Sequence, residues 1–337
     1  LLFTIVVATG ALTALFSPAK LGSLPEIVRD SELSTANGWM GLMVVVPSAL
    51  GFFVGNTLVG VVQPEAGGAI HAGGLTIAAA VIMTTALTGW GASLLIRRLP
   101  AADPERRWTW NLVGDTWNSL RQLTAVRALW RTALGIACFW MLGALAQINI
   151  DTFGIHDLGL EQRHIGILGM VLILGLGVGS VTAGLISAGR IELGLVPIGA
   201  AGITLCSLAL YVTGSFAESA PAFAFYGSCA ALFGLGVSAG LFDVPLEAYL
   251  QHRSPPAKLG SVIAATNFLV FTAILGVSGV FYVLQGMLRM SAGSIFLVAG
   301  LLTIPVGIYV ATVIPATMFR MLACVLSRCV YRIRVYG

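Results

Sequence analysis

The sequence predicts an all-α membrane protein that crosses the bilayer many times. Its 337 residues are 57% hydrophobic and only 9% charged, with a mean hydropathy of +0.93, whereas soluble domains carry about 25% charged residues. Apolar runs of about 20 residues, long enough to cross the hydrocarbon core, recur along the chain. The lysines and arginines lie between these runs and not on one face, so the net charge of +4 does not indicate nucleic-acid binding.

Nine apolar runs are predicted to form transmembrane helices. An α-helix rises 1.5 Å per residue, so each run is long enough to cross a core about 30 Å thick. In chain order the predicted spans are Leu1–Leu24, Gly38–Val62, Gly73–Ile96, Thr132–Phe153, Ile165–Ala188, Leu193–Gly214, Ala220–Leu250, Gly260–Leu284 and Ser291–Val313.

The distribution of basic residues orients these spans. When the loops are taken alternately, all of the 18 lysines and arginines except Arg163 and Arg289 fall on one side. Loops rich in lysine and arginine stay in the cytoplasm. This side is therefore predicted to be cytoplasmic, and the first span is predicted to begin outside. An error of one span would scramble the alternation, which supports the count of nine.

Two basic segments interrupt or follow the spans. In residues 97–131, Trp108, Trp110, Trp117 and Trp130 alternate with arginines, which is typical of an amphipathic helix at the headgroup level. The tail after residue 313 mixes apolar residues with arginines and ends in RIRVYG. Both segments are predicted to lie on the cytoplasmic side.

A charged, proline-containing segment near the start of the chain has a counterpart in the second half. Pro18 stands near the cytoplasmic end of one span and Pro245 near that of another, and Asn37 and Asn267 each open the span that follows. Two copies of this kind predict a tandem repeat related by an axis along the membrane normal. Each repeat is expected to hold six spans.

The repeat predicts the domain organisation. Residues 132–313 hold six spans and form the second bundle, whereas residues 1–96 hold three, interpreted as the fourth to sixth helices of the first bundle. Residues 97–131 form the amphipathic linker, and residues 314–337 form a basic amphipathic tail. We therefore expect nine of twelve transmembrane helices in this chain, with the first three missing.

Several motifs resemble the bacterial lysophospholipid transporters, a branch of the major facilitator superfamily. SPAKLGSLPEIV and LSTANG resemble the junction between the fourth and fifth helices of this branch. CFWMLGALAQINI, GRIELGLVPIGA and GLFDVPLEAYLQHRSPP resemble the form fused to acyltransferase or acyl-ACP synthetase modules. The resemblance covers about residues 1–315. It implies the major facilitator fold, a multi-pass location in the bacterial inner membrane, and transport of lysophospholipid to the inner leaflet for reacylation.

The end of the chain carries a second resemblance. YRIRVYG is similar to the start of a 1-acylglycerol-phosphate acyltransferase domain, so the tail is interpreted as the start of such a module. The H-x4-D motif of that family is absent, because no histidine is followed by aspartate five positions later. The chain is therefore predicted to be no enzyme and to have no catalytic residue. The expected partners are the bilayer, lysophospholipid and a fused or associated acyltransferase, without nucleic acid.

Cofactor and nucleotide sites are not predicted. The five cysteines and four histidines show no metal-ligand spacing. The patterns Gly175-x-Gly177-x-Gly179 and Gly234-x-Gly236-x3-Gly240 lie inside apolar spans without a preceding strand, so they are interpreted as small-residue faces for close helix packing.

Polar residues inside spans mark the candidate substrate site, because each one is costly in hydrocarbon. The first span of the second bundle carries Gln147, Asn149 and Asp151, and the spacing of Gln147 and Asp151 lets them share a helix face. In the family that the sequence resembles, this helix lines the transport pathway, which implies substrate binding. The alternative is a patch of interhelical hydrogen bonds near the outer headgroups.

Charged residues at the cytoplasmic ends of spans are the candidate gate. Asp243 and Glu247 lie one turn apart, so their carboxylates face the same direction. They are interpreted as an inner gate, as paired acids for proton coupling, or as charges that reach to water. Pseudo-symmetry favours the gate, with Lys20 meeting one of the carboxylates.

A separate pair, Arg190 and Glu192, resembles a charged turn that braces the inward-closed state, or lies in a solvated loop.

Three functions agree with these observations. The leading one is lysophospholipid transport, since most positions in the middle of the spans are apolar, which suits an amphiphile. The second is a membrane anchor for a fused phospholipid acyltransferase. The third is a facilitator for a small solute or drug that shares the fold.

Overall fold

A computed structural model describes residues 2–62, 72–96, 111–160, 162–187 and 191–313, and the regular elements in these ranges are all helices. They are α1 (Leu2–Ile27), α2 (Leu33–Val62), α3 (Ala72–Ser93), α4 (Leu112–Ala125), α5 (Arg127–Thr152), α6 (Gln162–Ile186), α7 (Leu195–Ser215), α8 (Pro221–Arg253), α9 (Leu259–Phe281) and α10 (Ala292–Val313). Short 3-10 turns precede α2 and α9, and π-helical turns continue α5 through Asp157 and α9 through Met287.

Seven of the helices in the described ranges are long and apolar enough to cross a membrane, namely α3 and α5 to α10. This finding confirms an all-α, multi-pass membrane protein. Helices α1 and α2 occupy the other two predicted spans, and the count of nine crossings stays a prediction. The proposed identity of the tail lies outside the described residues.

The start of α5 differs from the sequence-based boundary. The span was predicted to begin at Thr132, but the helix begins at Arg127. Leu129 is already 2% exposed and packs in the core, whereas the Arg127 and Arg131 side chains are exposed. Long basic side chains can extend from an apolar helix to the polar boundary, so helix α5 includes arginines that the sequence assigned to the linker.

By their contacts the helices form two compact units, residues 1–42 with 103–337 and residues 43–102. The first unit is centred on α8, which packs against α5, α6 and α7. Phe139 of α5 stacks on Phe242 of α8 with their ring centroids 6.5 Å apart. Phe153 meets Phe296 of α10 edge to face at 5.5 Å. Helix α1 contacts α8 and α9 in this unit, and the assignment of residues 1–96 to a first bundle stays a prediction.

Helices α6 and α8 touch through their backbones. A Cβ atom added to Gly175 or Gly179 of α6 would lie within 3.0 Å of carbonyl groups of α8. A Cβ on Gly236 or Gly240 of α8 would meet the backbone of α6 equally closely. Small residues let membrane helices approach in this way, so the structure confirms the packing interpretation of both glycine patterns.

The second unit contains the end of α2 and all of α3. Helix α3 is apolar around its circumference, and its Leu75, Ile82 and Trp90 side chains are more than half exposed. Gly74 is its one buried residue within the described range. A helix that is apolar on every side suits a lipid environment.

Candidate functional site

The first part of the candidate site is the surface where α1 and the first turns of α2 contact α6, α8 and α9, here called the inner junction. Helix α1 packs on α9 and α8. Gly38 of α2 lies directly against the backbone of α6, where a Cβ would come within 2.6 Å of the Ser180 carbonyl oxygen. The Thr35 hydroxyl donates a hydrogen bond to the Gly184 carbonyl at 3.0 Å. The junction therefore has backbone contact as well as side-chain contact.

Two amide side chains are hydrogen-bonded to each other at the centre of the inner junction. Asn37 Nδ2 donates to Gln251 Oε1 at 2.8 Å, and Gln251 Nε2 donates to Asn37 Oδ1 at 3.1 Å. The two residues are 5% and 2% exposed. Asn37 Nδ2 also donates to the Leu33 carbonyl at 2.9 Å, which fixes its orientation. Two reciprocal bonds in a dry interface make this pair a specific polar contact between α2 and α8.

The predicted gate charges lie beside this pair. Asp243 and Glu247 stand one turn apart on α8, with Pro245 between them, and both side chains are partly buried. Lys20 interacts electrostatically with Glu247, and the two carboxylates interact with each other. Asp243 Oδ1 is shielded from solvent and has no hydrogen-bond partner in the described residues. The structure thus places Lys20 within electrostatic range of Glu247, and Glu247 within range of Asp243.

A weaker ion pair marks the rim of the inner junction. His252 Nδ1 lies 3.5 Å from Asp30 Oδ1, and their side chains are 46% and 73% exposed. An exposed pair of this kind contributes little, at most about 1 kcal/mol, and only when the histidine is protonated. His252 drew no functional prediction, because nothing in its local sequence indicates a partner on the loop before α2.

The amide pair gives a stability prediction. Replacing Asn37 or Gln251 with alanine leaves the other amide buried without its partner, which costs about 1–3 kcal/mol. The double replacement should lower the melting temperature by less than the sum of the two single changes, with a coupling of about 1 kcal/mol. Thermal unfolding of the purified proteins measures this. Asn118→Ala, an exposed amide on α4, is the control, and strictly additive losses would contradict the proposed coupling.

The second part of the candidate site is the C-terminal half of α5, where the three predicted substrate residues point in different directions. Gln147 and Asp151 are exposed on one face of the helix. Asn149 is fully buried, and its Nδ2 donates to the Ala292 carbonyl of α10 at 2.8 Å. Its Oδ1 has no partner in the described residues. The hydrogen bond of Asn149 supports a role in interhelical bonding, the alternative to substrate binding, for this residue. Gln147 and Asp151 are accessible.

Further polar contacts tie the end of α5 to its neighbours. Asp157 Oδ2 accepts a hydrogen bond of 2.6 Å from the Gly293 backbone N–H at the start of α10. Gln285 Nε2 donates to the Thr152 hydroxyl at 3.3 Å. Local sequence patterns could not predict these contacts, because they join residues more than 130 positions apart. They hold the C-terminal end of α5 in place, so the exposed face with Gln147 and Asp151 is presented by an anchored helix.

The predicted loop brace is only partly within the described structure. Arg190 lies outside the described residues. Glu192 is partly buried, and its carbonyl accepts a hydrogen bond of 3.2 Å from the Leu195 N–H at the start of α7. The bracing role of this pair stays a prediction. Within the described ranges, no group of three His, Cys, Asp or Glu side chains is arranged to hold a metal ion.

Comparison with known proteins gives an independent view. The family model of the Major Facilitator Superfamily matches residues 1–278. The lysophospholipid transporter LplT of Escherichia coli O157:H7 (strain EC4115 / EHEC) is 27% identical over 313 residues, which cover 90% of this chain and 68% of the relative. LplT of Shigella boydii serotype 4 (strain Sb227) shows the same identity and coverage.

These findings confirm the sequence-based prediction of a membrane transporter and not an enzyme. The family match alone covers most of the chain, from the first described helix into α9. The similarity to the two named transporters extends across both compact units, since it covers 90% of the residues. The chain belongs to the Major Facilitator Superfamily.

Proposed function

We propose that this transporter moves lysophospholipid from the outer to the inner leaflet of the bacterial inner membrane. The observation that carries the proposal is the similarity to lysophospholipid transporters along 90% of the chain. The same similarity supports the inner membrane as the location. The product on the inner side would be a lysophospholipid ready for reacylation.

The exposed face of α5 supports an amphiphilic substrate. Trp140, Gly143, Gln147 and Asp151 recur at spacings of three and four, so they lie on one side of the helix, and all four are exposed. The aromatic ring and the glycine offer an apolar surface toward one end. The amide and carboxylate offer hydrogen bonds toward the other. We assign the polar end to the headgroup and the apolar end to the acyl chain.

The inner junction supports a gate in the same transport cycle. Lys20 and Glu247 attract each other, while Asp243 and Glu247 repel. An electrostatic interaction of this kind is strong enough to shift the equilibrium between two conformations. It is also weak enough to be broken in each transport cycle. We therefore assign Lys20, Asp243 and Glu247 to gating, and we assign Arg190 and Glu192 to bracing of the closed state.

The proposal includes an acyltransferase, fused to this chain or associated with it, that consumes the transported lysophospholipid. Its support is the chemistry of reacylation and the resemblance of the tail. The alternative, a helical anchor that only positions an acyltransferase, requires no substrate-binding face on α5. Transport measurements separate the two, because an anchor has no flipping activity.

The test uses the full-length protein in proteoliposomes with fluorescent lysophosphatidylethanolamine, whose inward movement is measured by loss of extraction into external albumin. Gln147→Ala and Asp151→Ala should each lower the rate about fivefold, since each removes a hydrogen bond of about 1 kcal/mol to the headgroup. Glu218→Ala, an exposed acid in the loop between α7 and α8, should flip at the wild-type rate. Wild-type protein without flipping activity would refute the proposed function, and normal rates in both α5 variants would remove this face from the substrate site.

A further inference from the structure

Helices α2 and α6 cross at the inner junction through two rows of small residues. The rows are Ser34, Gly38 and Gly41 on α2 and Ser180, Gly184 and Ser187 on α6. Within each row the residues are three or four positions apart, so they share one face of their helix. The rows run in opposite directions, since Gly41 lies against Ser180 and the Ser34 carbonyl lies against Gly184.

The glycines of α2 have no space for a side chain. A Cβ on Gly38 would lie 2.6 Å from the Ser180 carbonyl oxygen and 3.1 Å from the Gly184 Cα atom. A Cβ on Gly41 would lie 2.6 Å from the Ser180 Cβ and 2.5 Å from its Oγ. Backbone atoms and the Cβ of a serine cannot rotate away. One added methyl group at either position therefore forces α2 and α6 apart.

Two buried hydroxyl groups near this crossing are unpaired. The Oγ atoms of Ser34 and Ser187 are shielded from solvent and have no hydrogen-bond partner in the described ranges. The two residues are 1% and 0% exposed. A buried hydroxyl group of this kind has lost its bonds to water without replacement. Separation of α2 from α6 would return water to both groups, so they favour the separated state.

Other groups at the inner junction favour contact. The Thr35 hydroxyl donates to the Gly184 carbonyl, and Asn37 and Gln251 form their reciprocal amide pair. The crossing thus combines groups that gain from closure with groups that gain from opening. Opposing contributions of this kind keep two conformations close in free energy, which a gate that opens in every transport cycle requires.

We propose that the crossing of the two small-residue rows is the steric part of the inner gate, and that a methyl group at Gly38 or Gly41 holds the inner junction open. Closure is possible because these positions carry no side chain, whereas the charges of Lys20, Asp243 and Glu247 only shift the equilibrium. The inference rests on the gate proposed for the inner junction. Its test measures conformation and not transport, so its failure is distinct from an absence of lysophospholipid flipping.

The experiment uses the full-length protein with its native cysteines replaced by serine and with Ser187→Cys as the probe. This substitution breaks no hydrogen bond, because the Ser187 hydroxyl makes none in the described ranges. N-ethylmaleimide reacts with the probe when the junction opens, and mass spectrometry measures the rate. Gly38→Ala and Gly41→Ala should each raise this rate at least about fivefold. Gly51→Ala should leave it unchanged, since no atom lies within 4 Å of the position of its Cβ.

A second substitution tests the contact itself. Ser180→Gly removes the only two atoms that lie within 4 Å of a Cβ on Gly41. Added to Gly41→Ala, it should return the labelling rate to that of Ser180→Gly alone. It should not reverse the effect of Gly38→Ala, because a Cβ on Gly38 meets the Ser180 backbone.

A second probe separates opening from unfolding. Ala224 is 1% exposed and lies at the opposite end of α8 from Gln251, so a cysteine probe at this position should stay unreactive in every variant.

Three results would overturn the proposal. An unchanged labelling rate at position 187 in folded Gly38→Ala and Gly41→Ala proteins would show that the closed junction accepts both side chains. Equal acceleration at positions 187 and 224 would show that the methyl groups unfold the protein and do not open a gate. Failure of Ser180→Gly to reverse Gly41→Ala would show that the contact between these two residues does not control opening.

Discussion

Gly236→Ala is expected to lower the melting temperature of this transporter by several degrees, and Gly236→Leu to prevent accumulation of folded protein. A Cβ at this position would lie 2.6 Å from the Leu176 backbone nitrogen and closer still to the Leu172 carbonyl oxygen. Backbone atoms of a packed helix cannot rotate away as a side chain can. The helices must separate, and overpacking of this kind costs about 1–3 kcal/mol for one methyl group.

Gly169→Ala on α6 is the matched control. Both glycines lie inside long helices, but no atom lies within 4 Å of the position that a Cβ on Gly169 would take. Alanine favours a helix over glycine by about 1 kcal/mol, so this variant should be as stable as the wild type or slightly more so. Thermal unfolding in detergent compares the two. Equal destabilisation by both substitutions would show that helix propensity, and not the α6–α8 contact, determines the result.

Lys20→Glu should open the inner junction. The substitution replaces the attraction between Lys20 and Glu247 with a repulsion between two carboxylates. At a partly exposed site, the lost attraction and the added repulsion each contribute about 1 kcal/mol. The charge reversal therefore changes the free-energy difference between the closed and the separated junction by about 2 kcal/mol. This corresponds to roughly a thirtyfold shift toward the separated state. Spin labels at the exposed positions Glu26 and Arg253, at the ends of α1 and α8, report the distance.

A second charge reversal, at Glu247, should compensate for Lys20→Glu. Glu247→Lys in the Lys20→Glu protein restores an attractive pair and should return the spin-label distance to its wild-type distribution. Lys20→Glu with Glu32→Lys, at an exposed acid in the turn before α2, is the control and should stay open. A gate role for Lys20 is excluded if the single variant keeps the wild-type distance distribution, or if both double variants restore it equally.

Local sequence patterns predicted the features of this protein that depend on spacing along one helix. The apolar runs predicted the helices, and the glycine patterns predicted the α6–α8 contact. The spacing of Asp243 and Glu247 placed them on one face. The same periodicity could have separated Asn149 from Gln147, because two residues along an α-helix turn about 200°.

Contacts between distant segments could not be predicted from local sequence patterns. Asn37 and Gln251 are 214 positions apart, and each alone is an ordinary polar residue near a helix end. The bond from Asp157 to the start of α10 likewise depends on how the helices are arranged. Only the three-dimensional arrangement pairs these groups.

The Asn37–Gln251 pair has a consequence for a membrane that is electrically energised. Moving one elementary charge through the full membrane potential changes the energy by about 2.3 kcal/mol per 100 mV. Both side chains of the pair are uncharged amides, so separating them moves no net charge through that field. Their contribution to holding α2 against α8 is therefore the same in a fully polarised cell and in a depolarised one. Any voltage dependence of this transporter must arise from groups that carry charge.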